Sequence, residues 1–114
     1  MKKTKANKLS MNDAQVEEAA RQFSVLAESA RLMLLRELMA GEANVGELVE
    51  KTGIKQGTAS KHLGILAAAG FLARERRGNM VIYRICDPVV YDLCGLMCCR
   101  LSSEATRRAE SLAG

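Results

Sequence analysis

Four thiols are crowded into one stretch of this chain. Cys86, Cys94, Cys98 and Cys99 are its only cysteines, and all lie in CDPVVYDLCGLMCC, residues 86–99. On a helix, Cys94 and Cys98 stand one turn apart on a shared face, and Cys99 lies about 100° round from Cys98. Two thiolates at that spacing, with a third from nearby or from a partner chain, suit a soft ion: trigonal As(III), or tetrahedral Zn(II) or Cd(II). Oxidation to a disulfide or polysulfide is the other chemistry open to them, although i,i+4 spacing is near the upper limit for an undistorted bridge. Against both stands packing. Cysteine is a small hydrophobe, and Tyr91, Cys94, Cys98 and Leu101 can form an interface stripe beside Val90, Leu93 and Met97. Cys86 reads as packing at a strand end, with a further ligand role as the alternative. There is no Cys-x-x-Cys, no Ser/His/Asp set and no Gly-rich phosphate loop, so an enzyme or thiol carrier has no support.

A second set of residues has a different chemistry. In QGTASKHLG, residues 56–64, Gln56 can bond adenine bidentately, and Thr58 and Ser60 can reach bases or phosphates. Lys55 and Lys61 supply charge for phosphate, and a helix starting here would aim its free N–H groups the same way. Farther on, ARERRGN carries Arg74, Arg76, Arg77 and Asn79. On a two-stranded ribbon these residues suit a minor groove, whose negative potential attracts arginine. His62 is the only histidine. A lone helix histidine is more often a hydrogen-bonded structural group or a phosphate contact than a metal ligand.

Charge follows the same division. The net charge of +4 hides four lysines and no acid in residues 1–9, and eight acidic against three basic groups in residues 10–50. Residues 51–84 carry seven basic groups against Glu75 alone, and residues 85–114 carry three against four. Segregation of this kind is the footprint of a polyanion-binding surface; a solvated charged face is the plainer reading.

The elements that must hold these residues are legible from periodicity. Residues 1–10 have no apolar period and read as a disordered basic arm. A helix from Asn12, capped by Asn12 or Asp13, carries Val16, Ala19, Ala20, Phe23, Leu26 and Ala27 at helical steps. Ser29 is expected to cap a second helix with Leu32, Leu35, Leu38 and Met39 inward, stopped by Gly41. A short helix with Val45, Leu48 and Val49 inward ends at Gly53. The fourth follows at once, with Ala59, Leu63, Leu66 and Ala67 inward, and ends at Gly70. The period then changes to 2. Leu72, Met80 and Ile82 alternate with polar neighbours around Gly78–Asn79, which supplies the positive-φ positions of a tight hairpin. Asp87–Pro88 opens a last helix, where aspartate caps and proline loses no hydrogen bond.

This order, four helices, two strands and a helix, predicts a mainly α (α+β) winged helix–turn–helix. It spans residues 11–102, and residues 103–114 form a tail or helix extension. Two short helices joined through a glycine place the second in a major groove, so duplex DNA is the expected partner. No run of apolar residues is long enough for a membrane span. The start, MKKTKANKLS, lacks an apolar signal core, so the reducing cytoplasm is expected.

LAESARLMLL, GEANVGEL, QGTASKHL and GFLARERRGNMVIYRI resemble, in that order, the motifs of the ArsR/SmtB family of bacterial winged-helix repressors, over roughly residues 22–88. The resemblance implies a homodimer formed through the first and last helices, and an operator-binding repressor released by an inducer. It places DNA contacts on Gln56, Thr58, Ser60, Lys61 and His62, and on wing residues Arg77 and Asn79. Two departures narrow the inducer site. Many relatives carry Cys-x-Cys where this chain has Asn44–Val45–Gly46. Others bind zinc on the last helix through Asp and His, and the one histidine here lies in the reading helix. What remains is Cys94, Cys98 and Cys99, as a soft-metal, metalloid or oxidant sensor or as interface packing. No resident cofactor is expected; Zn(II), Cd(II) or As(III) would act as inducer.

Overall fold

Two helices finish their own first turns. In the computed structural model, which describes residues 10–113, α1 (Asp13–Leu26) begins with a reciprocal cap. The Asn12 side chain accepts from the Gln15 backbone N–H at 2.9 Å, and Gln15 Oε1 accepts from Asn12 N–H at 3.0 Å. Helix α3 (Val45–Thr52) repeats the device with Asn44 and Glu47, at 2.8 and 2.9 Å. Each box satisfies two backbone donors that a helix start otherwise leaves open. Between them, α2 (Ser29–Leu38) has no side-chain cap. Ser29 is not the cap expected of it. Ala27 and Glu28 form the whole connection, Glu28 takes the extended conformation, and Ser29 is already helical.

Helix α2 buries Leu34, Leu35 and Leu38 completely or nearly so. Leu32, expected inside, is 43% exposed. It lies roughly 110° from the centre of that stripe, on the helix flank. Helix α4 (Gln56–Ala68) follows a turn in which Gly53 has φ +76°. It ends in a Schellman motif: Phe71 N–H donates to Leu66 O at 3.1 Å and Gly70 N–H to Ala67 O at 3.0 Å, with Gly70 at φ +90°. Phe71 and Leu66 are both buried, as that motif's hydrophobic contact requires.

Strands β2 (Leu72–Arg77) and β3 (Met80–Ile85) form the expected hairpin. Only Gly78 has positive φ, at +61°; Asn79 does not, which suits a type II′ rather than a type I′ turn. A third strand, β1 (Ala43–Asn44), was not anticipated. It pairs antiparallel with β3, giving the order β1-β3-β2, with Ala43 opposite Tyr83. Two residues are too few for a periodic signal. Met80, expected inward, is half exposed, and its sulfur accepts from Asn44 Nδ2 at 3.2 Å.

The core joins α2, α3, α4 and the sheet: Leu34, Leu35, Leu38, Leu48, Ala59, Leu63, Leu66, Phe71, Leu72 and Tyr83, closed by Val90. Val90 belongs to α5 (Val89–Ala113), whose start is set by Asp87 Oδ1 accepting from Val89 N–H at 3.0 Å. Beyond Cys94 this helix leaves the core. Leu96 is 70% and Leu101 57% exposed. On α1, which has no buried residue, Phe23 is 58% exposed. The radius of gyration, 17.5 Å, is well above the about 13 Å of a compact chain this size. No described helix is long and apolar enough to cross a membrane. The expected basic arm lies outside the described residues apart from Ser10.

Candidate nucleic-acid interface and thiol cluster

Helix α4 is packed by one face and open on the other. Ala59, Leu63 and Leu66 are buried, while Gln56, Gly57, Thr58, Ser60, Lys61 and Gly64 are exposed. Unlike α1 and α3, its first turn has no side-chain cap and no acidic residue. Its N-cap is Lys55, which has no acceptor to offer. The first helical hydrogen bond is Ala59 N–H to Lys55 O at 2.8 Å. The N–H groups of residues 56–58 therefore lie before the first helical bond, at the positive end of the helix dipole, beside Thr58 and Lys61.

The hairpin divides its arginines between two faces. Register pairs Arg74 with Tyr83 and Arg76 with Val81, so these two side chains share the sheet face that packs on α4. There, Arg74, Tyr83 and Val81 line an open groove of about 570 Å³ with Ser60, Gly64, Ala67 and Ala68 of α4 and Val45 of α3. Arg77 pairs with Met80 on the opposite face. Its guanidinium bonds both carboxylate oxygens of Glu42, and Glu75 Oε1 at 3.0 Å. Those hydrogen bonds, Glu75 first, then Glu42, hold Arg77 even more firmly protonated than a free guanidinium, and Arg77 holds the Glu75 carboxyl below its ordinary range. Asn79 is exposed at the turn. The expected DNA contacts thus fall into three groups. Lys55, Gln56, Thr58, Ser60 and Lys61 share one helix start, and Arg74 lines the groove with Arg76 on the same sheet face. Arg77 is engaged on the back of the hairpin.

His62 belongs to none of these. It is half-buried, and its Nδ1 accepts from Arg31 Nε–H at 3.0 Å. Arg31, on α2, and Glu42, before β1, were missed in the sequence. Their partners lie 31 and 35 residues away, beyond any local spacing rule.

The thiols are graded along α5. Cys94 is half-buried and packs on the core, and burial pushes its thiol pKa up. Cys98 and Cys99 are exposed, and all four cysteines are free. Cys86 is exposed, with its Sγ 3.4 Å from Gly70 O. Among the described residues no three His, Cys, Asp or Glu side chains are grouped so as to hold a metal ion. One chain by itself brings together two thiols of the set at most.

A helix–turn–helix with an open second helix, followed by a basic hairpin, is matched by known proteins. The family described as "Bacterial regulatory protein, arsR family" matches residues 28–74. The chain is 38% identical over 86 residues to the probable mercury resistance operon repressor of Streptomyces lividans, covering 75% of this chain and 69% of that one. This chain belongs to the ArsR family. As an ArsR-family protein it is a DNA-binding transcriptional repressor and not an enzyme. Its fold matches the AntR antimony-specific transcriptional repressor with a TM-score of 0.76 at 33% identity, over 83% of this chain and 86% of that one. It also matches a homodimeric winged helix-turn-helix DNA-binding domain from Mycobacterium bovis, with a TM-score of 0.74 at 28% identity, over 87% and 94%.

Proposed function

We propose that this ArsR-family repressor binds operator DNA as a homodimer, with the start of α4 in the major groove and the hairpin against the backbone or minor groove. The observation that carries this is the open first turn of α4. It presents free N–H groups, Gln56, Thr58, Ser60 and Lys61 on one exposed face, next to a groove lined by Arg74. Gln56 serves base readout; Lys55, Lys61, Arg74 and Arg76 serve phosphate. The exposed apolar faces of α1 and α5 support dimerisation through those helices, as does the homodimeric relative.

In this reading the inducer is a soft metal ion or metalloid, or a thiol oxidant, taken by Cys98 and Cys99 with Cys94. Relatives that answer to mercury and antimony by name support the class of ligand. Because Cys94, Cys98 and Cys99 do not converge as a three-ligand group within one chain, a three- or four-coordinate ion draws on the second protomer. Bound at the seam, it would favour a dimer geometry with poorer operator affinity. A second reading has the cysteines only filling that seam, favoured at Cys94 by its packing on the core.

The test is a titration of a duplex selected from a randomised pool by the wild-type protein. Lys61→Gln is expected to weaken binding to every sequence and lower the salt slope by about 0.9 per lost phosphate contact. Gln56→Ala is expected to lose preference for the selected duplex. Unchanged affinity in both would sink the assignment of α4. Affinity unchanged by Zn(II), Cd(II), arsenite or oxidant would leave the packing reading.

A further inference from the structure

The single histidine is tied into a relay that crosses three helices. Arg31 on α2 donates from Nε to His62 Nδ1 on α4 at 3.0 Å, and from Nη1 to the carbonyl oxygen of Val25, in the last turn of α1, at 3.0 Å. Both bonds are partly shielded from water, where a charge-assisted bond counts for more than at an exposed site. Helix α1 has no fully buried side chain, and its hydrophobic residues packed on the core are the half-buried Val25 and Leu26. The relay is therefore a directional polar tie between a loosely seated helix and α4. His62 also directly follows Lys61 and lies two residues from Ser60, so the angle at which its ring is held bears on where those exposed side chains point.

We propose that Arg31 and His62 are positioning residues for operator binding: the Val25–Arg31–His62 relay fixes the angle of α4 against the end of α1, and His62 acts through Arg31, not through the DNA. This rests on the reading of α4 as the DNA-contacting helix. The geometry explains the residue types. Only a guanidinium offers two donors in a rigid fork that can reach a ring nitrogen and a carbonyl together. The ring must carry its proton on Nε2 to leave Nδ1 free to accept. The competing role is a DNA contact in which Nε2–H donates to phosphate.

Two amide replacements separate the roles. Asparagine places its oxygen near the Nδ1 position and nothing at Nε2. Glutamine reaches the Nε2 position and loses the near acceptor. The experiment is an anisotropy titration of the wild-type-selected duplex across a salt series with His62→Asn, His62→Gln, Arg31→Gln and the Arg31→Gln/His62→Gln pair. His62→Asn is expected to bind within about threefold of wild type, and His62→Gln and Arg31→Gln about tenfold more weakly. The double variant is expected to lose no more than the weaker single, since both remove one connection. Every slope of log affinity against log salt is expected to match wild type, because no phosphate contact is removed. Glutamine rescuing where asparagine fails, a lower slope, additive losses, or no loss in Arg31→Gln would each overturn the relay. Should the glutamine variants fold poorly, His62→Asn and the salt slope still decide, since a phosphate donor predicts that Asn lowers both affinity and slope. A wild type with no salt-dependent binding would overturn the DNA reading and the relay together. A binding wild type with any of the contrary variant results would overturn the relay alone.

Discussion

The inner elements and the outer helices of this chain solve the same problem with opposite success. Helices α2, α3, α4 and the sheet bury Leu34, Leu35, Leu48, Leu63 and Leu66 completely within one chain. Helices α1 and α5, of 14 and 25 residues, together bury only Val90. They leave Phe23, Leu96, Met97 and Leu101 more than half exposed. The inner core gives these elements a fixed frame within one chain. The outer helices carry apolar surface that only a second body can cover, so they can change their arrangement without unfolding that frame.

The sharpest way to break this comparison is to damage each side. Leu63→Ala is expected to lower unfolding stability by about 3 kcal/mol, read by denaturant melts, because a fully buried leucine leaves a cavity when truncated. A loss under about 1 kcal/mol would mean that the inner core is not close-packed. Phe23→Glu is expected to weaken self-association about a hundredfold, some 2.7 kcal/mol, in sedimentation equilibrium. The inner fold should survive, with an unchanged far-UV spectrum beyond the outer helices. If Phe23→Glu unfolds the chain and leaves no monomer, the two regions are not separable.

A smaller effect concerns the hairpin. Removing a negative charge near a polyanion ordinarily tightens binding. Glu42→Gln is expected to do the reverse, weakening duplex binding about threefold, because it releases Arg77 and with it the set of the hairpin. Exposed ion pairs are worth no more than about 1 kcal/mol. Tighter binding would show that Arg77 is a phosphate contact restrained by Glu42 in the free protein. The least effect lies at the border itself, which the thiols mark. In monomeric Phe23→Glu protein, iodoacetamide is expected to modify Cys98 and Cys99 before Cys94, as followed by mass spectrometry. Burial raises the Cys94 pKa. An acid so raised stays protonated to higher pH, so Cys94 should need a more alkaline solution than a free thiol to reach its full rate. Equal rates at all three would place Cys94 outside the core.

Much of this was legible from the sequence because the relevant signals are local. Leucine spacing, Gly53, Gly70 and Asp87–Pro88 each act within one turn of chain, and they marked the helices and the hairpin. The failures share a cause as well. Ser29 looked like a cap by type, but the two-residue link to α1 left Glu28 in the extended position. Leu32 and Met80 fitted a period and still faced outward, since which flank is covered depends on distant elements. Strand β1 is too short to show a period, and the partners of His62 and Arg77 are fixed only when α2 and the loop before β1 are packed. Residue type picked out the open start of α4 correctly as an exposed polar face. It could not tell an arginine free to meet phosphate from one already held by two carboxylates.

The missing cap of α4 has a consequence for motion. In α1 and α3 the third helical amide, Gln15 or Glu47, is locked by an asparagine oxygen from the same chain. The equivalent amide in α4, Thr58, has no such lock. Its first turn opens at lower cost than theirs, so in free protein residues 56–58 belong to the least protected part of an otherwise stable frame. On the proposed reading of α4, phosphate oxygens would complete the turn from outside. If α4 reads DNA as proposed, search would proceed with a loosely formed first turn on a fixed core, and its last ordering would coincide with arrival at a site that holds it.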